Sequence, residues 1–93
     1  MILELLVKVV EETRQGVSQS TGNEWKSKNV VLEAQDGNDV FRIQARMYGQ
    51  VVDQFEQLGL AVGSIATFDL HFATEMYRGY VSNKISVLAI HNS

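Results

Sequence analysis

The stretch Val40 to Tyr48 reads VFRIQARMY, and its alternation is strict: Phe41, Ile43, Ala45 and Met47 fall on one parity, Arg42, Gln44, Arg46 and Tyr48 on the other. A period of two marks a strand with one face in a core and one face open, so the first set is expected inside and the second toward solvent or a partner. Such a strand needs neighbours that share its core, because an isolated pair of strands is marginal in water. The turn residues DGND at Asp36 to Asp39 supply the link to one neighbour, Trp25 to Ala34, which is rich in strand-favouring residues.

The rest of the chain offers three further strands and one helix. Ile2 to Thr13 carries apolar residues on both parities, Leu3, Leu5, Val7 and Val9 against Leu6 and Val10, the pattern of a strand that a bulge turns from one face to the other. Arg14 to Glu24 is polar, with Gly16, Ser18, Ser20, Thr21, Gly22 and Asn23, and is expected to be a loop. Gly49 to Gly59 breaks the alternation; Val51, Val52, Phe55 and Leu58 lie on one side of a short helix, with Gly59 just past its end. Ser64 to Tyr77 returns to alternation, with Phe68, Leu70 and Phe72 opposite Thr67, Asp69 and His71. Arg78-Gly79 forms a turn, and Tyr80 to Ile90 places Val81, Ile85, Val87 and Ala89 on one face and Tyr80, Lys84, Leu88 and Ile90 on the other. Five strands with a helix between the third and fourth predict an all-β chain, a five-stranded Greek-key OB-fold barrel. A small SH3-like barrel is the rival, and it leaves the helix unexplained.

With 93 residues, 45% of them hydrophobic, the chain holds material for one core, so residues 1–93 are expected to form a single domain. No apolar run approaches the ~18 residues of a membrane span, and Met1 to Leu6 is broken by Glu4 and lacks the features of a signal peptide. A cytoplasmic location is expected. The absence of cysteine removes disulfides and thiolate metal sites, and no metal or other cofactor is expected. Phosphate-binding loops, nucleophile elbows and paired-histidine zinc motifs are missing, and Asp69 and His71 have no nucleophile to join them, so no enzyme is expected.

The run from Gly22 through Glu24 and Trp25 to Val30-Val31-Leu32-Glu33, followed by the hairpin of Tyr77, Arg78, Gly79 and Tyr80, resembles small bacterial and phage OB-fold domains of the single-stranded-DNA-binding type. The resemblance covers nearly the whole chain. It implies an OB-fold that binds single-stranded nucleic acid, often as an oligomer.

A surface that grips single strands needs aromatic planes for bases and cations for phosphates. Since Leu32 and Ala34 read as core, Trp25 points outward by parity, and Arg42, Arg46 and Tyr48 join it from the next strand. Tyr77, Arg78, Tyr80 and Lys84 close over the surface from the hairpin. Lys26 and Lys28 complete the expected nucleic-acid-binding set, although strict counting puts both on the inward parity, a sign of a bulge or of a register shifted by one. Each feature has a plainer reading. Trp25 can plug a barrel end, Tyr77 and Tyr80 can be a stabilising cross-strand pair, and the arginine face can be an ordinary solvated one.

The formal charge is −3, so cations must be segregated on one side, with Glu11, Glu12, Asp53, Glu56 and Asp69 away from the groove. The expected partner is single-stranded DNA or RNA, bound with little sequence preference, and not a membrane or a small-molecule substrate. A homo-oligomer is expected from the two-sided apolar strands at the ends of the chain. The alternative is a protein-interaction module that uses the same surface without nucleic acid.

Overall fold

The computed structural model describes residues 1–92. In chain order its elements are β1 (Ile2–Val10), β2 (Arg14–Val17), β3 (Glu24–Asp36), β4 (Asp39–Tyr48), α1 (Gln50–Gln57), β5 (Ile65–Tyr77) and β6 (Tyr80–Asn92). They form a six-stranded sheet in the order β1-β5-β6-β4-β3-β2, and β1 pairs in addition with β3. That extra pairing closes a circuit of the five longer strands and leaves β2 outside it as an edge. All pairings among the described residues are antiparallel except β4 with β6, which meet in parallel at Arg46 and Ser86.

The strand count therefore differs from the expected five. Arg14–Val17, expected to be loop, pairs with Glu24–Ser27 as β2. Its polar composition hid it, because an edge strand is held by backbone hydrogen bonds and buries little. Ser18 to Asn23 closes the connection with two backbone hydrogen bonds, from Ser18 N to Asn23 O (2.8 Å) and from Gly22 N to Ser18 O (2.7 Å).

Two bulges decide what the long strands bury. In β1 the partners step from Val7 opposite Leu32 to Val9 opposite Val31, so Lys8 is the extra residue and the mixed apolar pattern is explained as expected. In β6 the partners step from Val87 opposite Leu70 to Ala89 opposite Asp69, which leaves Leu88 unpaired. This second bulge corrects the face assignment of the last strand: Val87 and Ile90, on opposite parities, are both buried.

The core is built by Leu5, Val7, Val30, Leu32, Ala45, Met47, Phe68 and Leu70 from the strands, together with Val52 and Phe55 from α1. The helix packs against β3, β4 and β6. It ends in a paired cap, in which Gly59 N donates to Glu56 O at 3.0 Å and Leu60 N to Phe55 O at 3.4 Å. Gly59 accepts the left-handed conformation this requires, at φ 67°, as its place after the helix suggested. The helix is shorter than the Gly49 to Gly59 segment, because Gly49 starts it at φ 56°, outside helical geometry.

Two hairpins overrun the packed circuit. Phe41, expected in the core, is 50% exposed because it sits opposite Ala34 near the free end of the β3–β4 hairpin. Phe72, which shares the parity of the buried Phe68 and Leu70, is 47% exposed. Beyond Leu70 no side chain of β5 is buried, and β5 and β6 continue as a two-stranded ribbon to Tyr77 and Tyr80. Arg78 and Gly79 make its turn with φ 50° and 80°, the positive pair that a two-residue hairpin turn demands.

The two phenylalanines of β5 test this division. Phe68→Ala is expected to cost about 3–5 kcal/mol, the range for a large side chain removed from a closed core, and Phe72→Ala less than about 1.5 kcal/mol, since half of that ring is already wet. Urea unfolding of both variants measures the contrast.

Candidate nucleic-acid interface

The β3–β4 register puts Ser27 opposite Tyr48, Asn29 opposite Arg46, Val31 opposite Gln44 and Glu33 opposite Arg42. The intervening Val30, Leu32, Ala45 and Met47 are buried, so these four pairs form the outer row. Trp25 continues that row beyond Ser27, and Ser86, the parallel partner of Arg46, adds β6 to it. From Ser86 the same parity leads along the ribbon to Lys84, Ser82 and Tyr80, with Tyr77 opposite Tyr80. One curved outer face thus brings together Trp25, Tyr48, Arg46, Arg42, Lys84, Tyr80 and Tyr77, with Arg78 at its tip.

Two hollows lie along this face. The first, about 460 Å³, opens between β4 and β6 and is lined by Asn29, Arg42, Arg46, Tyr48, Lys84 and Ser86 among others, with no carboxylate. The second, about 690 Å³, lies at the β2 end and is lined by Gly16, Trp25, Lys26, Tyr48, Gln50 and Asp53 among others. Tyr48 borders both hollows and joins them.

Trp25 is 48% exposed, so it is not a core plug. Its seat is its cross-strand neighbour Gly16: a Cβ there would stand 2.9 Å from the indole Cζ2. A glycine lets the ring lie on the backbone of β2, where any side chain would push it off. The ring is therefore held on one side and open on the other.

Lys26 and Lys28 do not join this row. Strict counting was right and no bulge intervenes: both sit on the inward parity, at the end of the circuit that α1 covers. Lys26 Nζ is hydrogen-bonded to Asp53 of α1, a bond that raises its pKa above the ordinary 10.5 against a partial loss of solvation. Lys28 Nζ donates to Thr13 Oγ1 at 3.0 Å and stands 6.0 Å from the centre of the Phe55 ring. Thr13 Oγ1 in turn donates to Glu56 Oε1 at 3.3 Å.

The outer cations differ in their company. Arg42 Nε meets Glu33 Oε2 at 3.1 Å, and Lys84 Nζ meets Glu75 Oε1 at 3.0 Å. Arg46 Nε donates instead to the neutral Asn29 Oδ1 at 2.9 Å. The Arg78 guanidinium stands 5.2 Å from the centre of the Tyr77 ring. The segregation of charge is only partial: Asp53 and Glu56 of α1 do not line the β4–β6 hollow, but Asp53 and Glu24 line the hollow beside Trp25, and Glu33 and Glu75 pair with cations of the outer face. Glu33, Glu75, Asn29 and Gly16 were not singled out from sequence. Glu33 and Asn29 share the parity of Trp25, and counting back from the Arg78-Gly79 turn brings Glu75 within a diagonal of Lys84, so both signals were available.

This geometry can be set beside known proteins. No protein-family model matches the sequence, and no curated protein matches it. Among solved structures, the SSB domain of a protein from Synechococcus sp. superposes with a TM-score of 0.65 at 14% identity, over 99% of this chain and 92% of that one. The small single-stranded DNA-binding protein from Streptomyces coelicolor superposes at 0.50 with 13% identity, over 100% of this chain and 94% of that one. The fold is an OB-fold of the SSB type. At such low identity the likeness speaks for the path of the chain, and the side chains on the outer face have to be judged from their own chemistry.

The seat of Trp25 is open to a direct check. Gly16→Ala is expected to displace the indole and change the position of its fluorescence maximum while leaving the far-ultraviolet circular dichroism intact; an unchanged spectrum would show that the ring does not rest on β2.

Proposed function

We propose that the closed circuit is the five-stranded Greek-key barrel of an OB-fold, with β2 added at its edge, and that its outer face binds single-stranded nucleic acid, DNA in the first instance, with little sequence preference. Bases stack on Trp25 and Tyr48, and on Tyr77 and Tyr80 of the ribbon. Arg46, Arg42, Lys84 and Arg78 follow the phosphates. Lys26 and Lys28 belong to the set only as supports that tie β3 to α1 and the Thr13 segment, since their ammonium groups are engaged there.

One observation carries the reading: a hollow lined by three cations and a tyrosine, with no carboxylate, runs between β4 and β6 beside an outward indole. That the two neighbouring structures are named for single-stranded DNA binding supports it. Stacking on an aromatic ring is sequence-tolerant, because every base has a π-face. The net charge of −3 does not oppose binding, since counterion release depends on cations near the strand and not on the chain's sum. No reaction is proposed.

A titration with oligo-dT followed by Trp25 emission tests this. Quenching is expected with the single strand and not with duplex, and added salt should reverse it. Trp25→Ala is expected to weaken binding about tenfold to a hundredfold, the worth of one stacked base. Retention of full affinity by that variant would remove the indole from the interface. A salt-insensitive protein partner without quenching would favour the interaction-module alternative.

We propose further that the chain forms homo-oligomers through apolar side chains exposed on β1 and β6, where Ile2 is 66% and Leu88 54% exposed. Light scattering after size exclusion is expected to give a multiple of 10.4 kDa, and a monomer at all concentrations would refute it.

A further inference from the structure

We infer that Glu33 and Glu75 are built-in competitors of the phosphate backbone, holding two of the binding cations in reserve so that the affinity of the outer face is set below what its cations alone would give. The inference rests on the single-strand reading above and goes on to say how that site is regulated. Its basis is the unequal pairing along one face. Glu33 lies directly opposite Arg42 in the β3–β4 register, and Asn29 holds the equivalent position opposite Arg46. The same strand therefore offers a carboxylate to one arginine and a neutral amide to the other. Lys84 receives Glu75 across the ribbon.

A phosphate that approaches Arg42 or Lys84 must displace a carboxylate before it gains an ion pair, whereas Arg46 gives up only a neutral hydrogen bond. Exposure makes the exchange possible. The Arg42 side chain is 62% exposed and its Nε donates to Glu33 Oε2 at 3.1 Å. Lys84 and Glu75 are both more than half exposed. Lys84–Glu75, exposed on both sides, is a weak pair, and Arg42–Glu33, whose carboxylate side chain is only 19% exposed, is the firmer of the two; both attenuate binding without abolishing it. The order of engagement follows: Arg46 anchors first, and Arg42 and Lys84 are recruited as the strand settles.

The experiment compares wild type with Glu33→Gln, Glu75→Gln, the double variant and a control, Glu12→Gln, which makes the same change in net charge on an exposed residue outside the outer row. Affinity for a fluorescently labelled oligo-dT of about 16 nucleotides, the upper footprint of one OB-fold, is read by anisotropy at several salt concentrations. Each interface variant is expected to bind about two- to fivefold tighter at low salt, the exchange equivalent of an exposed ion pair. The double variant should show the product of the two gains. The logarithmic salt slope should steepen by up to ~0.7 for each cation released. In an Arg42→Ala background the gain from Glu33→Gln should vanish.

Gains no larger than that of Glu12→Gln, or a Glu33→Gln gain that persists without Arg42, would overturn the inference while wild-type binding leaves the single-strand reading standing. If neither wild type nor any variant binds the oligonucleotide, the reading itself fails and the inference goes with it.

Discussion

From Ser27 opposite Tyr48 to Asp36 opposite Asp39, β3 and β4 pair without a slip or a bulge. This unbroken register is the constraint on which the outer face depends. A shift by one residue would turn Val30, Leu32, Ala45 and Met47 outward and drive Arg42, Arg46 and Glu33 into the core. The cost of burying those charges fixes the register as firmly as the gain from burying the apolar row. The polar face is thus specified by the core behind it, and Trp25 follows because it shares its parity with Ser27 and Asn29. Tolerance is found where no core lies behind, in β2 and in the two overrunning hairpins.

An acidic chain with a cationic groove is consistent once distances are considered. At physiological ionic strength charges separated by more than ~8 Å on the surface are largely screened from one another. The carboxylates of α1 are engaged with Lys26 and the Thr13 segment, and neither lines the hollow between β4 and β6. What the strand meets is the local set, in which Arg46 is paired with an amide and Arg42 and Lys84 with carboxylates. In the proposed mode of binding, the pairings on the face and not the average charge decide what a phosphate meets.

Much of this was legible in the residues. The alternation of Val40 to Tyr48 gave the outer set of β4 outright, the parity of Leu32 and Ala34 sent Trp25 outward, and Gly59 marked the helix end. The features that escaped share a physical cause: they depend on where one strand stops lying over another. Phe41 and Phe72 carry the right parity for the core but lie past the end of the packed circuit, and periodicity has no information about length of overlap. The Leu88 bulge changes face within an apolar run where both parities look alike. β2 is held by its backbone and by an indole lying on a glycine, neither of which leaves a hydrophobic pattern. Lys26 and Lys28 were counted onto the inward parity correctly, yet their role could be seen only once α1 was placed under them with Asp53 in reach.

The aromatic residues of the face do not stand on equal ground. Tyr48 stands on a strand backed by the buried Met47 and Ala45, and Trp25 lies against Gly16 of β2, an edge held to β3 by backbone pairing. Tyr77 and Tyr80 are 68% and 78% exposed on a ribbon with no buried side chain of β5 behind it. A base that stacks on the ribbon must also order the ring and the strands that carry it, and that loss of conformational freedom offsets part of the stacking gain. In the proposed mode of binding, the residues that extend the surface are therefore suited to adapt to a strand already held at Arg46 and Tyr48, on the part of the face that the core supports.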